Sequence, residues 1–179
     1  MKKKILWITE TAALLALLIT LQWLTKPAGQ LVTGSCVNAV LAVAALLCGW
    51  SSGLTVALVS PVCAYLLGIA PQILTVPVIM LGNGVYVVLL CTLGNKTILK
   101  RVVGLLGAAG CKFVLLYVLV TYGICGVLAD TLTAQGLLKP AMLKALPATF
   151  SLPQLITALV GGILAMLLVP VLKKALKRT

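Results

Sequence analysis

Residues 102–128 read VVGLLGAAGCKFVLLYVLVTYGICGVL, an apolar run broken by one charged side chain, that of Lys112. A helix needs roughly 20 such residues to cross the ~30 Å hydrocarbon core of a bilayer, and this run exceeds that. It is more than twice as long as a transmembrane β-strand and lacks the alternation such a strand requires. The stretch therefore predicts a membrane-spanning helix. Five more segments of the same kind flank it: Ile5–Thr25, Leu31–Trp50, Gly53–Ile69, Ile73–Leu93 and Pro153–Leu172. The signals between them are Lys26-Pro27-Ala28-Gly29, a tight turn at Ser51-Ser52, a break at Pro71, and Gly94-Asn95-Lys96. A longer polar connection, punctuated by prolines, covers Ala129–Leu152. The expected fold is an all-α integral membrane protein, a six-transmembrane-helix bundle forming a single membrane domain over 1–179.

Composition agrees with that expectation. Of the 179 residues, 62% are hydrophobic and 9% charged, whereas soluble domains are about 25% charged. A water-soluble globular enzyme is excluded. Six spans consume nearly the whole length and leave no room for a nucleotide-binding or catalytic domain, and no Gly-x-x-x-x-Gly-Lys-Ser/Thr loop is present. The chain has no His, the commonest metal ligand and general base. Its six cysteines form no Cys-x-x-Cys pair and read as small apolar filler, so neither a metal site nor a cofactor is expected.

The formal charge of +12 sets 14 Lys and Arg against Glu10 and Asp130. In a soluble protein that balance would point to nucleic acid; here the bases sort by side. Lys2, Lys3, Lys4, Lys96, Lys100, Arg101, Lys173, Lys174, Lys177 and Arg178 fall on one face of the expected bundle, and Lys26, Lys139 and Lys144 on the other. Basic loops stay in the cytoplasm, so both termini are expected there, with some attraction to anionic headgroups. Lys2–Lys4 followed by an apolar run also describes a secretory signal. Thr9-Glu10-Thr11 interrupts that run and no small-x-small cleavage pattern follows, so a retained helix is the reading.

Polar groups at membrane depth are costly and each needs an account. Lys112, near the middle of its span, can hold the carboxylate or phosphate of a ligand, face a polar cavity, or pair with carbonyls. Its helical face runs through Leu105, Ala108, Leu116 and Leu119, with Tyr122 toward the outer end. Asn83, in Leu81-Gly82-Asn83-Gly84-Val85-Tyr86, shares a helix side with Tyr86. It is either a ligand contact or an interhelical hydrogen bond. Asn38, Ala42, Ala45 and Gly49 form one small-residue stripe, and Gln154, Thr157, Gly161 and Ala165 another. Such stripes are packing seams, yet their polar members lie where they can line an outward pocket. Glu10 lies near the cytoplasmic end of the first span; one acid without a histidine is poor material for a proton relay. Ala12 and Ala16 make a small-xxx-small pair on the first span, a face that admits a close helix neighbour.

Taken together, the chain resembles the S components, the substrate-binding membrane subunits of energy-coupling factor (ECF) vitamin transporters. The resemblance covers most of the chain. It rests on Thr33-Gly34-Ser35-Cys36-Val37-Asn38, Gly49-Trp50-Ser51-Ser52-Gly53, Ser60-Pro61-Val62-Cys63-Ala64-Tyr65-Leu66-Leu67-Gly68 and Val76-Pro77-Val78-Ile79-Met80-Leu81-Gly82-Asn83. In that family an Ala-xxx-Ala motif on the first helix docks the membrane-embedded coupling subunit, and Ala12 and Ala16 match it in type, spacing and helix. The resemblance implies a non-catalytic capture subunit in the bacterial cell membrane. It would bind a vitamin or related micronutrient from outside and pass it on through the coupling subunit and two ATPase subunits. Asn38, Asn83, Tyr86, Lys112, Tyr122, Gln154 and Thr157 are the candidate substrate-binding residues, by position. The lack of His departs from the metal-specific relatives and argues against cobalt or nickel. No signature for riboflavin, thiamine, biotin or folate is present, which leaves the substrate open. The competing reading is a structural membrane scaffold of the cell-wall elongation type, in which every stripe would be a helix seam. A secondary transporter is disfavoured by the absence of an inverted repeat. An intramembrane enzyme would need a Ser/His, paired-carboxylate or metal constellation, and the sequence holds none.

Overall fold

The computed structural model describes residues 2–69, 72–93 and 97–176, which are helical apart from short connections and include no strand. Pro71, Gly94-Asn95-Lys96 and Lys177-Arg178, read above as breaks and tail, lie outside the described residues. The helices are α1 (Lys2–Thr25), α2 (Gln30–Val43), α3 (Trp50–Leu66), α4 (Val76–Leu93), α5 (Ile98–Val118), α6 (Ala129–Ala134), α7 (Pro140–Thr149) and α8 (Leu152–Ala175). Among the described residues five helical segments are long and apolar enough to cross a membrane, and Trp50–Leu66 is a shorter apolar helix.

Several boundaries differ from the sequence reading. The corner between α2 and α3 falls at Gly49, not at Ser51-Ser52. Gly49 takes φ +88°, a left-handed conformation that a residue with a Cβ enters only at a cost. The chain reaches it through a π-helical turn, Ala44–Cys48. Ser51 and Ser52 instead open α3 and bond to α1. Trp7 Nε1 donates to Ser51 Oγ at 3.1 Å, and the Thr11 and Ser52 hydroxyls pair at 2.8 Å in a buried contact. The fifth span begins at Ile98, four residues early, and its outer end continues past Val118 as π-helix over Leu119–Val127. The stretch Ala129–Leu152 is no simple connection: it holds α6 and α7, and Leu138, Leu146 and Phe150 bury there against the outer part of α5.

Packing follows the small residues. α2 lies against α8 along the two stripes noted above, with Ala42, Ala45, Ala158 and Ala165 all buried. Gly161 is the closest point: a Cβ there would stand 2.6 Å from the Ala39 nitrogen. α4 packs between α3 and α5, and α1 rests on α2 and α3. One core cluster joins Leu18, Leu41, Val56, Tyr86, Val87, Leu90 and Leu105; a smaller one joins Val78, Leu116, Val120, Ile124 and the α7 residues. α1 is the least covered of the long helices.

Candidate functional site

A cavity of about 380 Å³ opens between these two clusters, within the size range of small-molecule sites. Its lining comes from the end of α1, the start of α2, the second half of α3, the start of α4, the middle of α5, α7 and the first turn of α8. All these elements reach the end of the bundle opposite the two termini. The walls include Pro61, Ala64, Ile79, Leu116, Leu146 and Phe150, and the lining holds two lysines, Lys26 and Lys112, with no carboxylate.

Lys112 is 2% exposed and sits on the cavity lining. Its ammonium donates to Asn38 Oδ1 at 2.5 Å and to Asn83 Oδ1 at 2.8 Å. It also lies 5.2 Å from the centroid of the Tyr86 ring, within cation–π range. Three helices therefore converge on one charge: α2 supplies Asn38, α4 supplies Asn83 and Tyr86, and α5 supplies the lysine. An ammonium only donates, so both asparagines must turn their oxygens toward it and their NH2 groups away. Asn38 Nδ2 then reaches the Gly34 carbonyl at 2.8 Å and Thr157 Oγ1 at 3.3 Å, and Thr157 donates onward to the Gln154 carbonyl at 3.2 Å. Among the described residues the buried Asn83 NH2 has no partner. Tyr86 completes the support by donating its hydroxyl to the Ala158 carbonyl at 2.7 Å, which ties α4 to α8.

Of the residues singled out in the sequence, Asn38, Asn83, Lys112 and Gln154 line the cavity. Tyr86 and Thr157 are fully buried behind it, one beside Lys112 and one beside Asn38. Tyr122 stands elsewhere: it is 62% exposed on the outer surface, edge-on to the Tyr117 ring. At 3.6 residues per turn, ten residues beyond Lys112 is already about 80° off its face, and the π-helical segment changes the pitch further. Ala12 and Ala16 are exposed on the outward side of α1, away from Leu18, which is buried.

The sequence reading missed much of the mouth. Gln22, Lys26, Gln30, Gln72, Thr75 and Thr149 also line the cavity. The signal was their shared address, since each is a polar residue at the same end of its span. Two contacts cross this mouth: Lys26 Nζ donates to the Gly68 carbonyl at 2.8 Å, and Gln72 Nε2 meets Met142 Sδ at 2.9 Å.

The family model described as ECF transporter, substrate-specific component, matches residues 7–173. No curated protein and no solved structure is significantly similar to the chain.

Proposed function

Because the chain belongs to the substrate-specific components of ECF transporters, we propose that the cavity above Lys112 is its substrate site. Members of this family are substrate-binding transport subunits, and the protein is a multi-pass membrane protein by family and by its apolar helices. The observation that carries the reading is the convergence of Asn38, Asn83 and Lys112 on the lining of one cavity. A structural scaffold would need the Lys112 contacts only to tie α2, α4 and α5 together, and would not need the cavity beside them. The substrate is a small organic micronutrient of vitamin size. Asn38, Asn83, Lys112 and Gln154 contact it, while Tyr86 and Thr157 hold those residues in place.

In this reading Trp50–Leu66 is the sixth span. At 1.5 Å per residue its length is about 25 Å, at the short end of what crosses a bilayer. Both termini then lie in the cytoplasm of a bacterial cell, where basic segments are retained, and the cavity opens outward. Uptake needs an engine, and in this reading a coupling membrane subunit and two ATPase subunits supply it. The exposed small face at Ala12 and Ala16 is where the coupling subunit docks.

The test is a thermal-shift screen of the purified protein against water-soluble vitamins and their precursors, because a ligand that binds only the folded state raises the melting temperature. A stabilising compound with micromolar or tighter affinity is expected. If nothing stabilises the protein, and no coupling or ATPase subunit co-purifies with it, the capture reading fails.

A further inference from the structure

Hydrogen-bond accounting at the floor of the cavity narrows the substrate class, on the premise of the capture reading above. The Lys112 ammonium has three N–H donors; two go to Asn38 Oδ1 and Asn83 Oδ1, which leaves one. The Asn83 NH2 adds two N–H donors without a partner. Both side chains line the cavity, and they are 2% and 1% exposed. The Asn38 NH2 is spent on Gly34 and Thr157, so the unspent N–H donors of this polar cluster are at Lys112 and Asn83, beside one further lone pair on each asparagine Oδ1.

Charge is uncompensated in the same place. Asn38, Asn83 and Tyr86 surround the ammonium with neutral partners, and no carboxylate lines the cavity. A buried charge without a counter-charge is costly, and an unpaired buried NH2 adds to that cost. Both are relieved together by a group that brings one negative charge and two acceptor oxygens.

We infer that the floor of the cavity takes the carboxylate end of a monoanionic substrate, one oxygen on Lys112 Nζ and the other on Asn83 Nδ2. The alternatives fit the donor set poorly. A primary amide brings no charge to balance the ammonium. A phosphate monoester carries close to two negative charges and three terminal oxygens, more than the one ammonium and the Asn83 NH2 at the floor can match, since Lys26 lies apart at the mouth. A neutral alcohol leaves the ammonium unbalanced. The remainder of the substrate meets a mixed lining, with Pro61, Ile79, Leu116 and Phe150 as apolar walls and Gln22, Gln30 and Gln72 among the polar groups toward the mouth.

The experiment compares matched probes on the intact protein in detergent or nanodiscs: nicotinate with nicotinamide, pantothenate with panthenol, and 4-pyridoxate with pyridoxal and pyridoxal phosphate. These run beside the wider vitamin panel, by thermal shift and by calorimetry. A carboxylate is expected to bind at least tenfold more tightly than its neutral or phosphorylated counterpart. Lys112→Met should remove that preference. Should Lys112→Met fold poorly, Asn83→Asp serves instead. It places a carboxylate beside the ammonium, so it should keep or raise the melting temperature while weakening the acid more than tenfold. Equal binding of acid and neutral partner, or a preference for phosphate, overturns the carboxylate inference and leaves substrate capture standing. The same holds if Asn83→Asp binds the acid as well as the unaltered protein does. A panel without any binder overturns the carboxylate inference, and overturns capture as well if no coupling or ATPase subunit co-purifies.

Discussion

Replacing Gly161 by Ala tests whether the α2–α8 seam sets the geometry of the site. A Cβ built at this position lies 2.6 Å from the Ala39 nitrogen, 2.6 Å from Asn38 Cβ and 2.8 Å from the Asn38 carbonyl carbon. Comfortable contacts between such atoms are at about 3.5–4.0 Å, so the shortfall is ~1 Å. Two of the three atoms are backbone and have no rotamer to yield. The helices must separate, and a gap of 0.5–1 Å forfeits roughly a quarter to a half of each contact along the seam. Overpacking of this kind costs about 1–3 kcal/mol, against a helix-propensity gain of ~1 kcal/mol for losing a glycine. The net expectation is a loss of up to about 2 kcal/mol, or up to roughly 8 °C in Tm at this chain length, and a wider gap from a control that keeps the propensity gain. The control is Gly107→Ala, because a Cβ there meets nothing within 4 Å; it keeps the propensity gain and should melt no lower than the unaltered protein. Asn38 sits at the clash and also bonds Lys112, so Gly161→Ala should weaken substrate as well, by several-fold. Thermal denaturation of the two variants side by side, followed by titration of the identified ligand, measures both effects. If Gly161→Ala melts as high as Gly107→Ala, the seam is slack and the argument from helix contact to site geometry is refuted.

Other substitutions separate the roles of neighbouring groups. Tyr86→Phe removes the hydroxyl bond to Ala158 but keeps a ring beside Lys112. It should cost about 1 kcal/mol in thermal stability and change substrate affinity less than twofold. Gly49→Ala places a Cβ on a φ of +88° and should lower stability by roughly 1–2 kcal/mol, read by Tm, without touching the cavity. Ala12→Trp puts a bulky ring on the exposed face of α1; co-purification with a coupling subunit should be lost while ligand-induced stabilisation is kept, and intact assembly would remove the docking role. Lys26→Met, at the exposed mouth, should leave Tm within about 0.5 kcal/mol equivalent and change the association rate of an anionic ligand more than its final affinity.

The long apolar helices were legible because lipid imposes a single rule, that backbone polar groups be satisfied inside an apolar helix, and runs such as 102–128 obey it visibly. Corners were less so. Ser51-Ser52 reads as a turn by residue type, but the chain turns at Gly49, where a positive φ is needed, and the serines serve α1. The stretch Ala129–Leu152 reads as a connection because Lys139, Pro140, Lys144 and Pro147 are prominent. Its helices show only through the buried residues Leu138, Leu146 and Phe150. Asn38, Asn83 and Lys112 each stood out singly, as polar groups in apolar surroundings. That they meet at one point depends on how α2, α4 and α5 cross, and residue spacing along one helix carries no information about the distance to another. Tyr122 marks the same limit within one helix, since a π-helical segment alters the face that later residues occupy.

The lysine in α5 has a bearing on how the chain is built. A helix with an ammonium near its centre inserts into lipid against a penalty of about 2.5–3.5 kcal/mol. Synthesis runs from the N-terminus, so α2 and α4, bearing Asn38 and Asn83, reach the bilayer before α5 emerges. These earlier helices carry the two amide oxygens that the charge meets in the fold. α8 arrives last, and it closes the arrangement from behind through Thr157 and the Ala158 carbonyl. The order of translation thus matches the order in which each group comes to need its partner.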